Sequence, residues 1–179
     1  MKKSEFVLNQ MPLMFDTQNL MREEDFMVSS CNNDAYQMVQ MWPNWLEHGL
    51  IVYGPAGCGK SHLAHIFTDK VKMKTALTGK VKIVEAESLT LVKVKKLAAE
   101  NNVLVIENLS PKANSEALLH LFNMYNSENR YILWTSLIPA NRLHFALKDL
   151  QSRLNMLPSV EIEEPDDVML QTLVVKLFN

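Results

Sequence analysis

Cysteine is scarce in this chain: Cys31 and Cys58 are the only two among 179 residues, which argues against a disulfide framework. Long apolar runs are missing as well. None approaches the roughly 20 residues that a bilayer-spanning helix needs. The start, Met1-Lys2-Lys3-Ser4-Glu5, leads into an apolar cluster too short for the core of a signal peptide. A cytoplasmic protein without membrane contact is the expectation. A formal net charge of −2 supplies no global pull toward nucleic acid. His62 and His65 share one helical stretch, but no third ligand is placed beside them, so zinc is not expected. Repeats and low-complexity tracts are absent. The length suits one well-buried domain and is short for two.

Glycine is also rare, and its distribution is the strongest signal. Three of the five glycines fall within Gly54-Pro55-Ala56-Gly57-Cys58-Gly59-Lys60-Ser61, which fits the phosphate-binding pattern G-x-x-x-x-G-K-[ST]. Leu50 to Tyr53 ahead of it reads as a short strand, and His62 to Val71 behind it carries Leu63, Ile66 and Phe67 at helical spacing. In this context the glycines let backbone N–H groups turn toward a polyphosphate. Lys60 adds a positive charge, Ser61 offers a hydroxyl to Mg²⁺, and the helix dipole points the same way. Cys58 reads as a small filler within the loop. Binding of ATP or ADP with Mg²⁺ follows as the expectation, with Gly54 through His62 as the cradle.

The rest of the chain alternates. A helix is predicted from Asn33 to Met41, stopped by Pro43, then a strand at Val81 to Val84 and a helix from Ser88 to Glu100. Val103 to Ile106 is an uninterrupted apolar run of the kind found in a parallel strand buried on both faces. A helix from Asn114 to Ser127, a strand from Tyr131 to Ser136, a helix from Ala146 to Leu154, a strand from Val160 to Glu163 and a helix from Asp166 complete the series. The predicted fold is α/β: a P-loop core with a five-stranded parallel sheet, helices on both faces and the ligand at the carboxyl ends of the strands. The eleven methionines, Met38, Met41, Met73 and Met124 among them, read as core filler. Lysines between Lys70 and Lys96 read as a solvated face in preference to a DNA patch.

A P-loop works with an acid at the end of a neighbouring strand, and Glu107 follows Ile106 directly. A strand-end surface acid is the other reading; the P-loop favours a metal role. Asn108 stands where a second carboxylate is common, and an amide cannot act as a general base. Intrinsic hydrolysis is therefore expected to be weak or absent. Thr135 and Ser136 end the next strand, where a hydroxyl is expected to reach a terminal phosphate or an attacking water. Arg153 has a surface salt bridge as its default role; a guanidinium at that place is also suited to a neighbouring subunit's nucleotide.

Taken together, these residues resemble the AAA+ ATPase core of the DnaA/Hda clade, most closely the alphaproteobacterial Hda type, a regulatory inactivator of the replication initiator. Gln10-Met11-Pro12-Leu13-Met14-Phe15 resembles the clade's sliding-clamp peptide, and Glu24 to Ser29 with Asn32 and Ala35 resembles the segment that wraps adenine. Ala117 to Asn123 resembles the helix after Walker B, Asp149 to Leu154 the box with the arginine finger, and Glu164 to Asp167 with Leu173 to Phe178 the opening of the lid. The resemblance implies a DNA-replication regulator. It implies clamp contact through Gln10, Leu13 and Phe15, adenine contact through Met27 and Val28, and Arg153 acting on ATP held by a DnaA initiator. DNA contact is expected to be indirect or weak, and self-association into a homo-oligomer stays open.

Two departures from the clade stand out. Walker B ends in Glu107-Asn108 where two acids are usual, and the sequence stops at Asn179 within the first lid helix. The expected organisation is an amino-terminal arm over 1–20, the nucleotide-binding domain over 21–165 and the start of a truncated lid over 166–179. An initiator-like or helicase-loader-like ATPase and a non-catalytic clamp-binding module are the alternatives.

Overall fold

The computed structural model describes residues 21–45, 47–74, 80–166, 169–171 and 175. Five strands, β1 (Gly49–Tyr53), β2 (Val81–Glu85), β3 (Val103–Leu109), β4 (Tyr131–Ser136) and β5 (Ser159–Glu161), form one sheet in the order β2-β3-β4-β1-β5. Every pairing is parallel. Helices α1 (Asn33–Gln40), α2 (Lys60–Met73), α3 (Leu91–Glu100), α4 (Ser115–Ser127) and α5 (Lys148–Met156) connect and cover the strands. Single 3₁₀ turns lie at Glu23–Asp25, Ala86–Ser88 and Ala140–Arg142.

The apolar runs make a buried parallel sheet because successive side chains point to opposite faces and both faces are covered. Ile51, Leu104, Ile106, Ile132 and Trp134 join one core with residues of α3, α4 and α5. Leu50, Val52, Val103, Val105 and Leu133 join the other with Ala35 and Val39 of α1 and Leu63, Ile66 and Phe67 of α2. The predicted architecture is therefore the observed one.

Several boundaries differ. Helix α3 starts at Leu91, not Ser88, because the Ser88 hydroxyl bonds back to the Glu85 carbonyl and Thr90 serves as the cap, accepting from the Lys93 N–H. Strand β3 runs on to Leu109, so Glu107 and Asn108 lie within it. Strand β5 covers only Ser159–Glu161, and α5 begins at Lys148. The methionine reading holds in part: Met38 and Met124 pack against the two cores, whereas Met41 and Met73 are 54% and 81% exposed. Among the described residues no helix is long and apolar enough to cross a membrane. The clamp-like peptide with Gln10, Leu13 and Phe15 and most of the proposed lid segment lie outside the described residues.

Candidate nucleotide site

The loop after β1 is built as its sequence requires. Gly54, Gly57 and Gly59 have φ of 154°, 79° and 105°, values that a side chain would strain. The Gly54 N–H donates to the Ser136 carbonyl at 3.2 Å, and the Ile162 N–H donates to the Tyr53 carbonyl at 2.7 Å. The loop's entrance is thus pinned between the ends of β4 and β5.

Gly59 caps α2, whose first turn holds Lys60, Ser61 and His62 with their N–H groups at the loop. Lys60 is 7% exposed, and its Nζ donates to the carbonyls of Gly54 at 2.7 Å and Pro55 at 2.6 Å. Its charge sits inside the loop, where a phosphate oxygen is the natural competitor for those protons. Cys58 is buried, with Sγ 3.6 Å from Lys60 Nζ, and fills the space beneath the loop. Ser61 is exposed at the start of the helix, and so are Ala56 and Gly57 at the tip.

The segment from Arg22 to Asn32 packs beside this helix start. His62 Nε2 lies 2.8 Å from the Arg22 carbonyl, and the Phe26 ring meets His62 edge-on at 5.1 Å and stacks on Tyr36 at 5.9 Å. Tyr36 and Gln40 both donate to Glu23 Oε1 at 2.7 Å. The hydrogen bond to Glu23, with some burial, raises the Tyr36 pKa. Asn32, 1% exposed, accepts from the Ser29 N–H and donates to the Met27 carbonyl, both at 2.9 Å. Met27 is half-buried and Val28 is 43% exposed, on the turn that Asn32 fixes.

Glu107 and Thr135 come from the carboxyl ends of β3 and β4. Glu107 Oε1 is buried without a hydrogen-bond partner, an arrangement a carboxylate tolerates when a cation completes it. Asn108 has a φ of 57°, and its N–H donates to Thr135 Oγ1 at 3.1 Å. Its Nδ2 donates to both Glu85 oxygens, at 2.9 and 3.2 Å. Thr135 is 1% exposed, so its first task is to hold the β3 bend.

Arg153 stands apart from these groups. It lies on α5 with Nε 3.5 Å from Asp149 Oδ1, outside hydrogen-bond geometry, and its guanidinium over the Phe122 ring at 5.9 Å. A helical ion pair of this kind is a weak restraint.

Three groups escaped the sequence reading. Phe26, inside the Glu24 to Ser29 segment, makes ring contacts of its own to His62 and Tyr36. Glu85 ends β2, and its position opposite Glu107 follows from strand register. Arg142, exposed on the 3₁₀ turn after β4, lines a cleft with Tyr53, Pro55, Ile138, Glu161 and Glu163. A guanidinium one short turn past a strand's carboxyl end was the available signal for Arg142.

Comparison with known proteins agrees with this geometry. The sequence model for the bacterial DnaA ATPase domain matches residues 18–160. The chain belongs to that family. The chromosomal replication initiator protein DnaA of Lactiplantibacillus plantarum is 28% identical over 200 residues, covering 97% of this chain and 43% of that protein. AMPPCP-bound DnaA from Aquifex aeolicus superposes with a TM-score of 0.72 at 23% identity, covering 87% of this chain and 54% of the other. Domain III of the Thermotoga maritima DnaA gives a TM-score of 0.75 at 20% identity, covering 88% and 73%. The chain thus spans well under two thirds of the Lactiplantibacillus and Aquifex DnaA chains, and its fold is the AAA+ P-loop core of DnaA.

Proposed function

We propose that this DnaA-family domain is a nucleotide-binding AAA+ regulator of replication initiation of the Hda type. In this reading it docks on the sliding clamp through Gln10, Leu13 and Phe15 and promotes hydrolysis of ATP bound to a DnaA initiator. The observation that carries nucleotide binding is the buried Lys60 ammonium held on the Gly54 and Pro55 carbonyls, beneath a glycine loop that opens a helix.

ATP or ADP fits that loop, with the phosphates on the backbone N–H groups from Gly57 to His62 and the adenine beside Met27 and Val28. The unpartnered Glu107 oxygen and the exposed Ser61 hydroxyl suit Mg²⁺, which when bound would neutralise phosphate charge. Asn108 is unable to take a proton, so β3 supplies no base of its own. A base for hydrolysis of this chain's own nucleotide would have to come from another strand. Arg153, on α5 beside Asp149 and Phe122, suits insertion into a neighbour's site.

The deciding experiment incubates a DnaA initiator carrying labelled ATP with this chain, clamp and DNA. Hydrolysis is expected to rise with the wild-type chain and to fall back with Arg153→Ala; no stimulation by wild type refutes the regulatory reading.

Membership of the initiator family itself favours a second reading, a DNA-replication ATPase of the initiator or loader type. Tight binding to single-stranded DNA that weakens steeply with salt is its signature.

A further inference from the structure

Strands β2 and β3 pair in parallel register, so Glu85 stands directly opposite Glu107. Beyond that point β3 bends. Its pairing with β4 passes from Ile106 straight to Leu109, and Asn108 between them takes the left-handed φ of 57°. A non-glycine residue in that region carries backbone strain, which surrounding contacts must offset. Here the offsetting contacts are two. The Asn108 backbone is tied to Thr135, and its side chain reaches toward β2, where Nδ2 donates to both oxygens of Glu85.

The consequence is a carboxylate delivered to the catalytic end of the sheet by the neighbouring strand. Glu85 and Asn108 are both exposed. A carboxylate has about four acceptor positions, and one amide group leaves room for a water. Glu107 differs, since one of its oxygens is buried and unpartnered and suits the metal. Glu87, the next acid on the β2 side, lies on the 3₁₀ turn and accepts from the Ser110 hydroxyl at 3.2 Å.

We propose that Glu85, positioned by Asn108, is the general base with which this chain hydrolyses its own bound nucleoside triphosphate. The proposal rests on the P-loop reading of the preceding subsection. Glu85 takes one proton from a water. The water oxygen bonds to the terminal phosphorus, and the bond from that phosphorus to the bridging oxygen breaks. The electron pair departs with the nucleoside diphosphate, whose charge Lys60 balances, and the proton passes from Glu85 to solvent. Acid and amide have thus exchanged strands: the amide is on β3 and the base on β2.

The test measures single-turnover ATP hydrolysis by the full chain, alongside fluorescent ADP affinity and a thermal melt. Glu85→Gln is expected to lower turnover by about 100-fold or more, the usual worth of a general base, with ADP affinity and melting temperature unchanged. Glu85→Gln combined with Asn108→Glu keeps the cross-strand hydrogen bond in reversed polarity and returns the carboxylate to β3. It is expected to recover turnover well above the single variant, which a purely structural role for Glu85 would not produce. Wild type that binds ADP without hydrolysing ATP overturns the proposal and leaves the P-loop reading standing, as does a Glu85→Gln variant as active as wild type. Failure to bind nucleotide at all overturns both.

Discussion

Gly54 lies against the backbone of Ile162 so closely that a Cβ on it would stand 2.1 Å from the Ile162 carbonyl oxygen. The glycine therefore does two things at once: it turns the chain into the phosphate loop and lets β1 and the segment after β5 close together. Gly54→Ala is expected to cost about 1–3 kcal/mol through overpacking, and more if the β5 end is pushed from the sheet. Gly57→Ala meets open space and carries only the strain of its φ of 79°. Urea unfolding of the two variants should rank Gly54→Ala as the less stable; the reverse order would refute the packing argument.

In the proposed nucleotide-binding role, Lys60 exchanges the Gly54 and Pro55 carbonyls for phosphate oxygens. A hydrogen bond to a charged group contributes about 1.5–3 kcal/mol, so Lys60→Ala should weaken ATP and ADP binding by about 10- to 100-fold. Calorimetric titration measures this, and an affinity equal to wild type would sink the assigned role.

Asn32 fixes the turn that carries Met27 and Val28, the segment proposed for adenine. Removing its amide leaves the part-buried Ser29 N–H and Met27 carbonyl without this partner, at about 1 kcal/mol for each lost bond. Asn32→Ala is expected to weaken ADP binding while inorganic tripolyphosphate, which has no base, binds as before. Equal losses for both ligands would show that Asn32 acts on the whole domain instead of the adenine segment.

Tyr125, 1% exposed, donates to the Asn101 carbonyl at 2.8 Å, and burial pushes its hydroxyl pKa well above the ordinary 10.0, against the opposing pull of Arg130. A raised pKa means that the native chain keeps a proton the unfolded chain releases. Its stabilising effect is complete below pH 10 and is lost as pH climbs beyond that, by up to about 1.4 kcal/mol per pH unit. Tyr125→Phe should cost about 1 kcal/mol at pH 7, and its deficit relative to wild type should shrink above pH 10. Urea unfolding at both pH values checks the sign; a constant deficit contradicts it.

Much of the fold was legible because the signals are local. An eight-residue glycine pattern between an apolar run and a helical repeat defines the loop whatever the rest of the chain does, and uninterrupted runs such as Val103 to Ile106 announce buried parallel strands. Boundaries were less legible where two polar residues compete for one task. Ser88 looked like a helix start, but its hydroxyl is spent on Glu85 and Thr90 does the capping.

By itself, then, the sequence determined the P-loop, the α/β alternation and the departure at Asn108, since each depends on residues within a few positions of one another. Tertiary structure alone decided that Phe26 rests on His62, that Gly54 must be bare to admit the Ile162 carbonyl, and that Asn108 is answered by Glu85. Asn108 and Glu85 are 23 residues apart in the chain, and only the register of two parallel strands joined through a helix makes them neighbours. Local spacing carries no information about that register; burying both faces of the sheet does.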